Sequence, residues 1–170
     1  MKKNLGDKIV FAPQPVLIIA TYDENGNPNA MNAAWGGQIS FHEIELNLSP
    51  HKTTENLNVK KAFTVSFADK NHVKEADYFG LVSGHKVPDK IDKAGMHTVK
   101  SEHVDAPVIE EFPLTLECEV TAITPLGRDV QVKARVVNVL ADESILDENG
   151  KVDLDKLQPL VYDPSYRVYR

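Results

Sequence analysis

Apolar and polar residues alternate along much of this chain, which is the pattern of strands with one buried face. The clearest case is Glu43–Leu48, where isoleucine and leucine occupy every second position. Phe63–Phe67 repeats the pattern. Val16–Thr21 is apolar at nearly every position, which is typical of a buried strand. Asn29–Ser40 follows as a second extended segment, so the first half of the chain predicts a sheet.

A long hairpin is predicted in the second half of the chain. Alternation runs from Leu114 to Ala122, and Leu126–Asp129 then reverses the chain. The same period continues through Val130–Val136. Because Val136 and Val137 are both apolar, the phase slips there, and we expect a bulge.

Few helices are predicted. Thr53–Lys61 is one candidate, and Asn71–Phe79 is another, with Gly80 as its stop signal. Asp153–Leu157 has room for a turn or two. Residues 85–113 are the least regular part, and a loop of that length in a compact domain is usually functional. Together, the predicted strands and helices indicate an antiparallel barrel with short helices at its ends.

Composition narrows the class of protein. The 170 residues suit a single domain over 1–170, and 42% of them are apolar. A net charge of -6 argues against nucleic acid as the main partner. The single cysteine, Cys118, cannot form an internal disulfide. Asn4–Asp7, after the basic start, are not the apolar region of a leader, and the most apolar early run, Val16–Ala20, is too short to span a membrane. We therefore expect a cytoplasmic protein that does not enter membranes.

Metal chemistry has little support in the sequence. The histidines are scattered, and His97 and His103 are six residues apart, which matches no standard ligand spacing. Asp-Glu-Asn-Gly occurs at Asp23–Gly26 and at Asp147–Gly150, yet the remaining positions of a calcium loop do not follow. We expect no metal site and interpret both segments as surface turns.

Three segments carry candidate chemistry, and each has a plain structural alternative. Asn32–Gly37 places small residues beside the only tryptophan, which suits a flat ring or a tight barrel corner. Ser49–Thr54 offers hydroxyls, a lysine and a helix start, which suits an anion site or simple capping. Gly80–Gly84, followed by Asp89 and Lys90, is either a ligand loop or a helix stop with a solvated loop.

Taken in order, these pieces resemble the flavin reductase-like, FMN-binding split-barrel family, and most of all its flavoredoxin-like branch. The resemblance covers nearly the whole chain, and no single piece is specific. The matching pieces are Pro28–Trp35, Ser49–Thr54, Asp77–Gly84 with Asp89–Lys90, Ala106–Glu110, Leu116–Cys118 and Gly150–Asp153.

The resemblance implies a six-stranded antiparallel Greek-key split barrel, mainly β, that forms a homodimer with FMN near the dimer interface. It implies that Asn32, Ala33, Ala34 and Trp35 run along the flavin ring. By the same resemblance, the phosphate is held by Ser49, His51, Lys52, Thr53 and Thr54. The flavin is covered by Ser83 and Gly84, and Lys90 reaches it.

Two departures from the family pattern stand out. Family members often carry serine or threonine where this chain has Ala34. Many have a histidine in the turn before the late barrel strand, where this chain has Arg128–Asp129. The resemblance therefore does not imply a flavin contact from that turn in this chain.

The resemblance implies hydride transfer from NADH or NADPH, as transient reductant, to bound FMN. Electrons then pass to free flavin, another small-molecule acceptor or a redox protein. This step requires no side-chain acid or base, so the sequence names no catalytic residue. The alternatives are an FMN-containing electron carrier that uses NAD(P)H poorly, and a barrel that has lost flavin. The presence of Lys52, Thr53 and Thr54 argues against the last.

Overall fold

The computed structural model describes residues 1–170, and its regular structure is mostly antiparallel strand. The strands are β1 (Gln14–Pro15), β2 (Leu17–Tyr22), β3 (Pro28–Ala33), β4 (Gly36–Gln38), β5 (Glu43–Leu48), β6 (Ala62–Phe67), β7 (Thr98–Lys100), β8 (Pro107–Ile109), β9 (Leu114–Leu126), β10 (Asp129–Ala141), β11 (Val161–Asp163) and β12 (Val168–Tyr169). The helices are α1 (Lys52–Lys60), α2 (Val73–Leu81), α3 (Lys90–Lys93) and α4 (Leu154–Leu157). None of these helices has the length and apolar character needed to cross a membrane.

The main sheet has the order β3-β2-β6-β9-β10-β5-β4, and its two edge strands are joined by Ala34 and Trp35 alone. In a flat sheet the edges of seven strands would lie about 29 Å apart. The link from Ala33 to Gly36 spans at most about 11 Å. The sheet therefore has to curl, which confirms the predicted antiparallel barrel class.

The strand count is one higher than the six that the resemblance implies. The segment 29–40, expected to be one extended piece, breaks at Ala34–Trp35 and forms both β3 and β4. A Cβ on Gly36 would overlap the Leu46 side chain of β5, so this break is a tight corner between strands. Around Gly36 the structure therefore supports a barrel corner, but the notion that Trp35 belongs to the core of that corner is wrong, since Trp35 is 59% exposed.

Strand β2 is apolar throughout because it is buried on both faces. Ile18 belongs to one core cluster with Phe79 of α2 and Phe112. Ile19 belongs to a second cluster, inside the barrel, with Phe63 of β6. The continuous apolar run in the sequence therefore reflects two cores, one on each side of the sheet.

The predicted long hairpin and its bulge are confirmed. Strands β9 and β10 pair antiparallel, and Gly127 turns the chain with a positive φ of 62°. The register shifts between Val136 and Asn138, which leaves Val137 as the extra residue. The two adjacent valines in the sequence are the signature of that shift.

The predicted helices are present, with shifted boundaries. Helix α1 begins one residue before the predicted Thr53, and α4 begins after Asp153, whose carboxylate accepts the Asp155 N–H. The prediction that Gly80 stops the second helix is wrong. Helix α2 continues to Leu81, where the N–H of Val82 still donates to Tyr78 O at 2.9 Å. A glycine inside a helix costs only about 1 kcal/mol, and helical bonding offsets that here.

The segment 85–113 has more regular structure than its sequence indicates. It contains α3 and the small antiparallel pair β7–β8. These elements are only three or four residues long, so they show no periodicity. Phe112, near the end of this segment, is buried in the core beside α2, with only 4% of its surface accessible.

Both Asp-Glu-Asn-Gly segments are surface turns, as predicted. Asp23 Oδ1 accepts the N–H groups of Asn25 and Asn27, each at 2.9 Å. Asp147 Oδ1 accepts the N–H groups of Asn149 and Lys151 in the same way. In both turns the aspartate carboxylate accepts hydrogen bonds from backbone N–H groups of the same turn, which stabilises the turn.

A buried carboxylate anchors the irregular segment to the barrel. Glu117 of β9 is 1% exposed and accepts hydrogen bonds from the Ser101 hydroxyl and the Asn138 amide. His103 Nδ1 lies 2.9 Å from its second oxygen. The bulge at Val137 places Asn138 opposite Glu117. One side chain therefore joins the loop before β8 to strand β10.

Replacing Glu117 by alanine should lower the free energy of unfolding by about 3 kcal/mol, because it leaves buried donors without a partner. The matched control is Glu119→Ala on the same strand. Glu119 is half-exposed and pairs with Arg135 at 2.7 Å, so its loss should cost under about 1 kcal/mol. Urea unfolding of both variants measures the difference, and equal losses would contradict the anchoring role.

Candidate functional site

The seam where the barrel closes forms one half of the candidate site. Trp35 lies in the break between β3 and β4 and is 59% exposed. Its carbonyl accepts the N–H of Asn47 at 2.8 Å, which fixes the break against β5. Between the two chain segments lies a cavity of about 170 Å3, lined by residues 31–35 and 47–49 together with His51.

The start of α1 forms the other half. The His51 N–H donates to Thr54 Oγ1 at 2.9 Å, and the Thr54 hydroxyl donates back to His51 O at 2.7 Å. This exchange lets the helix begin at Lys52, directly after β5. The first N–H groups of a helix have no partner within the helix and carry partial positive charge, so this end attracts anions.

Lys52 is the cation at this helix start. Its Nζ lies 3.5 Å from Asp23 Oδ2, and the two side chains are 19% and 15% exposed. Partial burial acts to raise the pKa of Asp23, but hydrogen bonds from Asn27 and Asn25 and the charge of Lys52 outweigh it, so the pKa is lowered. Lys52 is thus held in place by a carboxylate that stays charged.

A second cavity, of about 120 Å3, lies between the start of α1 and the end of α2. Asn29 is 2% exposed and donates from Nδ2 to Thr53 Oγ1 at 2.7 Å, but its Oδ1 has no hydrogen-bond partner. A Cβ on Gly84 would overlap this same oxygen. Because Gly84 has no side chain, a narrow space remains beside Asn29 Oδ1, which has no hydrogen-bond partner.

The two cavities are adjacent, because Met31, Asn32 and His51 line both. Together they form a trough from Trp35 to Lys52, which we call the seam trough. A second unpartnered acceptor, Asn47 Oδ1, lies at the Trp35 end. Buried acceptors without partners are rare in native proteins. Two of the four in this chain belong to residues that line the trough, where a ligand that carries donors would satisfy them.

Lys90 lies beneath the trough, and most of its donors are already used. It is 2% exposed, and its ammonium donates to Val82 O at 2.7 Å and Phe79 O at 3.3 Å. Burial lowers its pKa to about 8. A cation at these last carbonyls stabilises the end of α2 and fixes the Ser83–Gly84 loop.

Asn32 is fixed from behind by the C-terminal strand. Its Nδ2 donates to Ala76 O at 2.9 Å and contacts the Tyr169 hydroxyl at 3.3 Å. That hydroxyl donates to Asp77 Oδ1 at 3.0 Å, and burial together with Asp77 raises the pKa of Tyr169 to about 12. Since the amide donors of Asn32 point to the protein, its role in the trough is to fix the β3 backbone.

The structure brings the residues singled out from the sequence to one place, with one difference. Thr54 is buried and its hydroxyl closes the helix start, so it does not line the trough. The other eleven line the trough: Asn32, Ala33, Ala34, Trp35, Ser49 and His51 at the seam, and Lys52, Thr53, Ser83, Gly84 and Lys90 beyond it. The Arg128–Asp129 turn is not among the lining residues.

Sequence reasoning missed Asn29, Asn47 and the pairing of Lys52 with Asp23. Asn29 lies within a matching piece, but an asparagine on a strand gives no sign of which way its oxygen points. Two histidines outside the trough contact carboxylates distant in sequence. His97 contacts Glu111 at 2.7 Å, and His103 contacts Glu117.

Comparison with known proteins agrees with this arrangement. Flavoredoxin of Desulfovibrio vulgaris (Miyazaki F) is 34% identical, with a TM-score of 0.94 over 100% of this chain and 92% of that chain. Flavoredoxin from Methanosarcina acetivorans is 25% identical, with a TM-score of 0.90 over 100% and 90% of the two chains. These similarities confirm the predicted flavoredoxin-like resemblance.

A curated relative from Aeropyrum pernix is 29% identical over 175 residues, which cover 96% of this chain. This chain spans only 64% of the length of that relative. Residues 10–168 match the family described as flavin reductase like domain. The chain therefore belongs to the flavin reductase-like family of split-barrel proteins.

Proposed function

We propose that the seam trough binds FMN and that the protein is an FMN-dependent oxidoreductase reduced by NADH or NADPH. The observation that carries this proposal is the pairing of two unpartnered buried acceptors with an anion cradle in one trough. A flavin mononucleotide supplies donors on its ring and polyol, and a phosphate at its end. The trough has an acceptor at each end, Asn47 Oδ1 near Trp35 and Asn29 Oδ1 near Lys52. Lys52, at the start of α1, adds a positive charge at the second end.

In this arrangement each part of the trough has a separate task. The backbone of Asn32–Trp35 lies along the ring, and Asn47 Oδ1 accepts from a ring N–H. Asn29 Oδ1 accepts from the polyol. Lys52 and the first N–H groups of α1 hold the phosphate, with the Thr53 hydroxyl as a further donor.

The remaining predicted residues shape the trough. Ser49 and His51 form the wall between ring and phosphate, and Ser83 and Gly84 cover the polyol. Thr54 and Lys90 act from behind, since the first starts α1 and the second fixes the end of α2. The seam trough thus positions the cofactor through backbone and amides, and we assign no side-chain acid or base.

When bound, FMN would supply the redox chemistry, by accepting a hydride from the nicotinamide and passing both electrons to a small acceptor or a redox protein. The protein supplies a site that is open on one side. Trp35 is 59% exposed at the end where the ring lies, so a second planar molecule has access there.

An electron carrier without efficient use of NAD(P)H is the second candidate. The similarity to the flavoredoxin of Desulfovibrio vulgaris, at 34% identity over the whole chain, favours it. Both functions use the same trough and the same cofactor. They differ in whether a nicotinamide or a reduced protein delivers the electrons.

We also propose that the protein is a homodimer. An open groove of about 810 Å3 runs beside the seam, lined by Phe11, Phe41, Val137 and Val139 among others. Phe41 is 95% exposed and Val139 is 49% exposed. Contiguous exposed apolar side chains mark interaction sites, and a second copy would cover these side chains and lie beside the ring end of the trough.

Lys52→Ala should weaken FMN binding about tenfold or more, because a charge-assisted contact contributes roughly 1.5–3 kcal/mol. Riboflavin, which lacks the phosphate, should lose far less. Lys74→Ala on α2 makes the same charge change at an exposed position outside the trough and serves as the control. Fluorescence titration with both flavins measures the effect, and equal losses for the two would remove Lys52 from the phosphate site.

Stopped-flow reduction under anaerobic conditions tests the enzymatic proposal. NADH or NADPH should bleach the absorbance of bound FMN faster than that of free FMN, because the open ring end admits the nicotinamide. Free flavin or oxygen should then restore the absorbance. If neither nicotinamide reduces bound FMN faster than free FMN, the protein is the electron carrier instead.

Sedimentation should give about twice the chain mass of 18.9 kDa. Phe41→Glu should shift the protein toward monomer and weaken FMN binding, because it places a charge in the groove. Val59→Glu, at another exposed apolar position, on α1, is the control and should change neither. A monomeric wild type that binds FMN would contradict both the dimer and its role at the ring end.

A further inference from the structure

A third cavity, of about 290 Å3, begins on the far side of Lys52. Lys52 lines both this cavity and the trough, so the two meet at its side chain. The other wall of the third cavity is formed by the loop before α3 and by α3 itself, where Asp89 and Asp92 stand. A ligand that extended past Lys52 into this third cavity would therefore meet a wall that carries two carboxylates.

The charges around this junction are unequally compensated. Asp89 pairs with Lys93 at 2.9 Å, and that hydrogen bond lowers the pKa of Asp89, so it is charged at neutral pH. Asp92, in contrast, takes part in none of the ion pairs of the chain. Lys52 itself is already paired with Asp23. The wall of the third cavity itself therefore carries two carboxylates, Asp89 and Asp92, against one lysine that is already paired.

FMN and FAD place their charge differently in such a field. FMN ends in a phosphate monoester, which carries a charge of about −1.5 to −2 near neutral pH, all of it beside Lys52 and the start of α1. FAD has a pyrophosphate, with one negative charge on each phosphorus. Its second phosphate and its adenosine continue past Lys52, toward Asp92 and Asp89.

We infer that Asp92, with Asp89, is a specificity determinant that selects a flavin ending in a phosphate monoester over one extended by a nucleotide. The inference rests on the proposed flavin site and adds the reason why the ligand stops at Lys52. The third cavity has room for a further group, so size alone does not exclude the extension. Like-charge repulsion at its wall opposes it.

The test compares the affinities of FMN and FAD for the full chain by fluorescence titration. The wild type should bind FMN about tenfold more tightly than FAD at low salt. Asp92→Asn should lower this ratio about threefold, and Asp89→Asn with Asp92→Asn should lower it further, through tighter FAD binding. Asp155→Asn makes the same charge change on α4, outside all three cavities, and should leave the ratio unchanged.

Salt provides a second readout that a steric barrier would not move. The ratio should fall as salt rises in the wild type, because exposed charges are screened, and change less in the double variant. Equal wild-type affinities for FMN and FAD would overturn the inference and leave the proposed function intact. So would a preference that neither variant nor salt alters. Failure to bind either flavin would overturn the proposed function itself.

Discussion

The two-residue link between the edges of the main sheet is the constraint on which the rest of the structure depends. Ala34 and Trp35 have to connect β3 to β4, and in a flat sheet of seven strands that distance would be more than twice the reach of the link. Closure brings the end of β3 beside the end of β5, and α1 starts there. The seam trough is thus a direct result of barrel closure, and its walls are backbone that cannot move independently of the sheet.

Chemical function is then added with few side chains. Lys52 and the start of α1 supply positive potential, while Asn29 and Asn47 leave acceptors unused in the interior. A ligand with hydrogen-bond donors along its length and a negative charge at one end would pair with the free acceptors and with the positive potential. Lys90 also lines the trough, but its buried ammonium donates to the last carbonyls of α2 and of the residue after it, so it stabilises that helix end.

Features encoded locally could be predicted from the sequence. Alternation located β5, β6 and the β9–β10 hairpin, and the paired valines located the bulge, because strand period and burial are linked residue by residue. The grouped hydroxyls and lysine of Ser49–Thr54 located the start of α1. Other features depend on partners distant in sequence. The burial of Phe112, the orientation of Asn29 Oδ1 and the pairing of Lys52 with Asp23 all follow from packing, which no local pattern reports.

The central claim is that the seam trough holds the flavin with its ring beside Trp35, and tryptophan fluorescence during FMN titration tests it most directly. Trp35 is the only tryptophan in the chain, so its emission reports on this one position. The account predicts that emission falls in step with binding and that the fall saturates at about one FMN per chain, with flavin retained on gel filtration. Emission that stays unchanged, with no flavin retained, would contradict it.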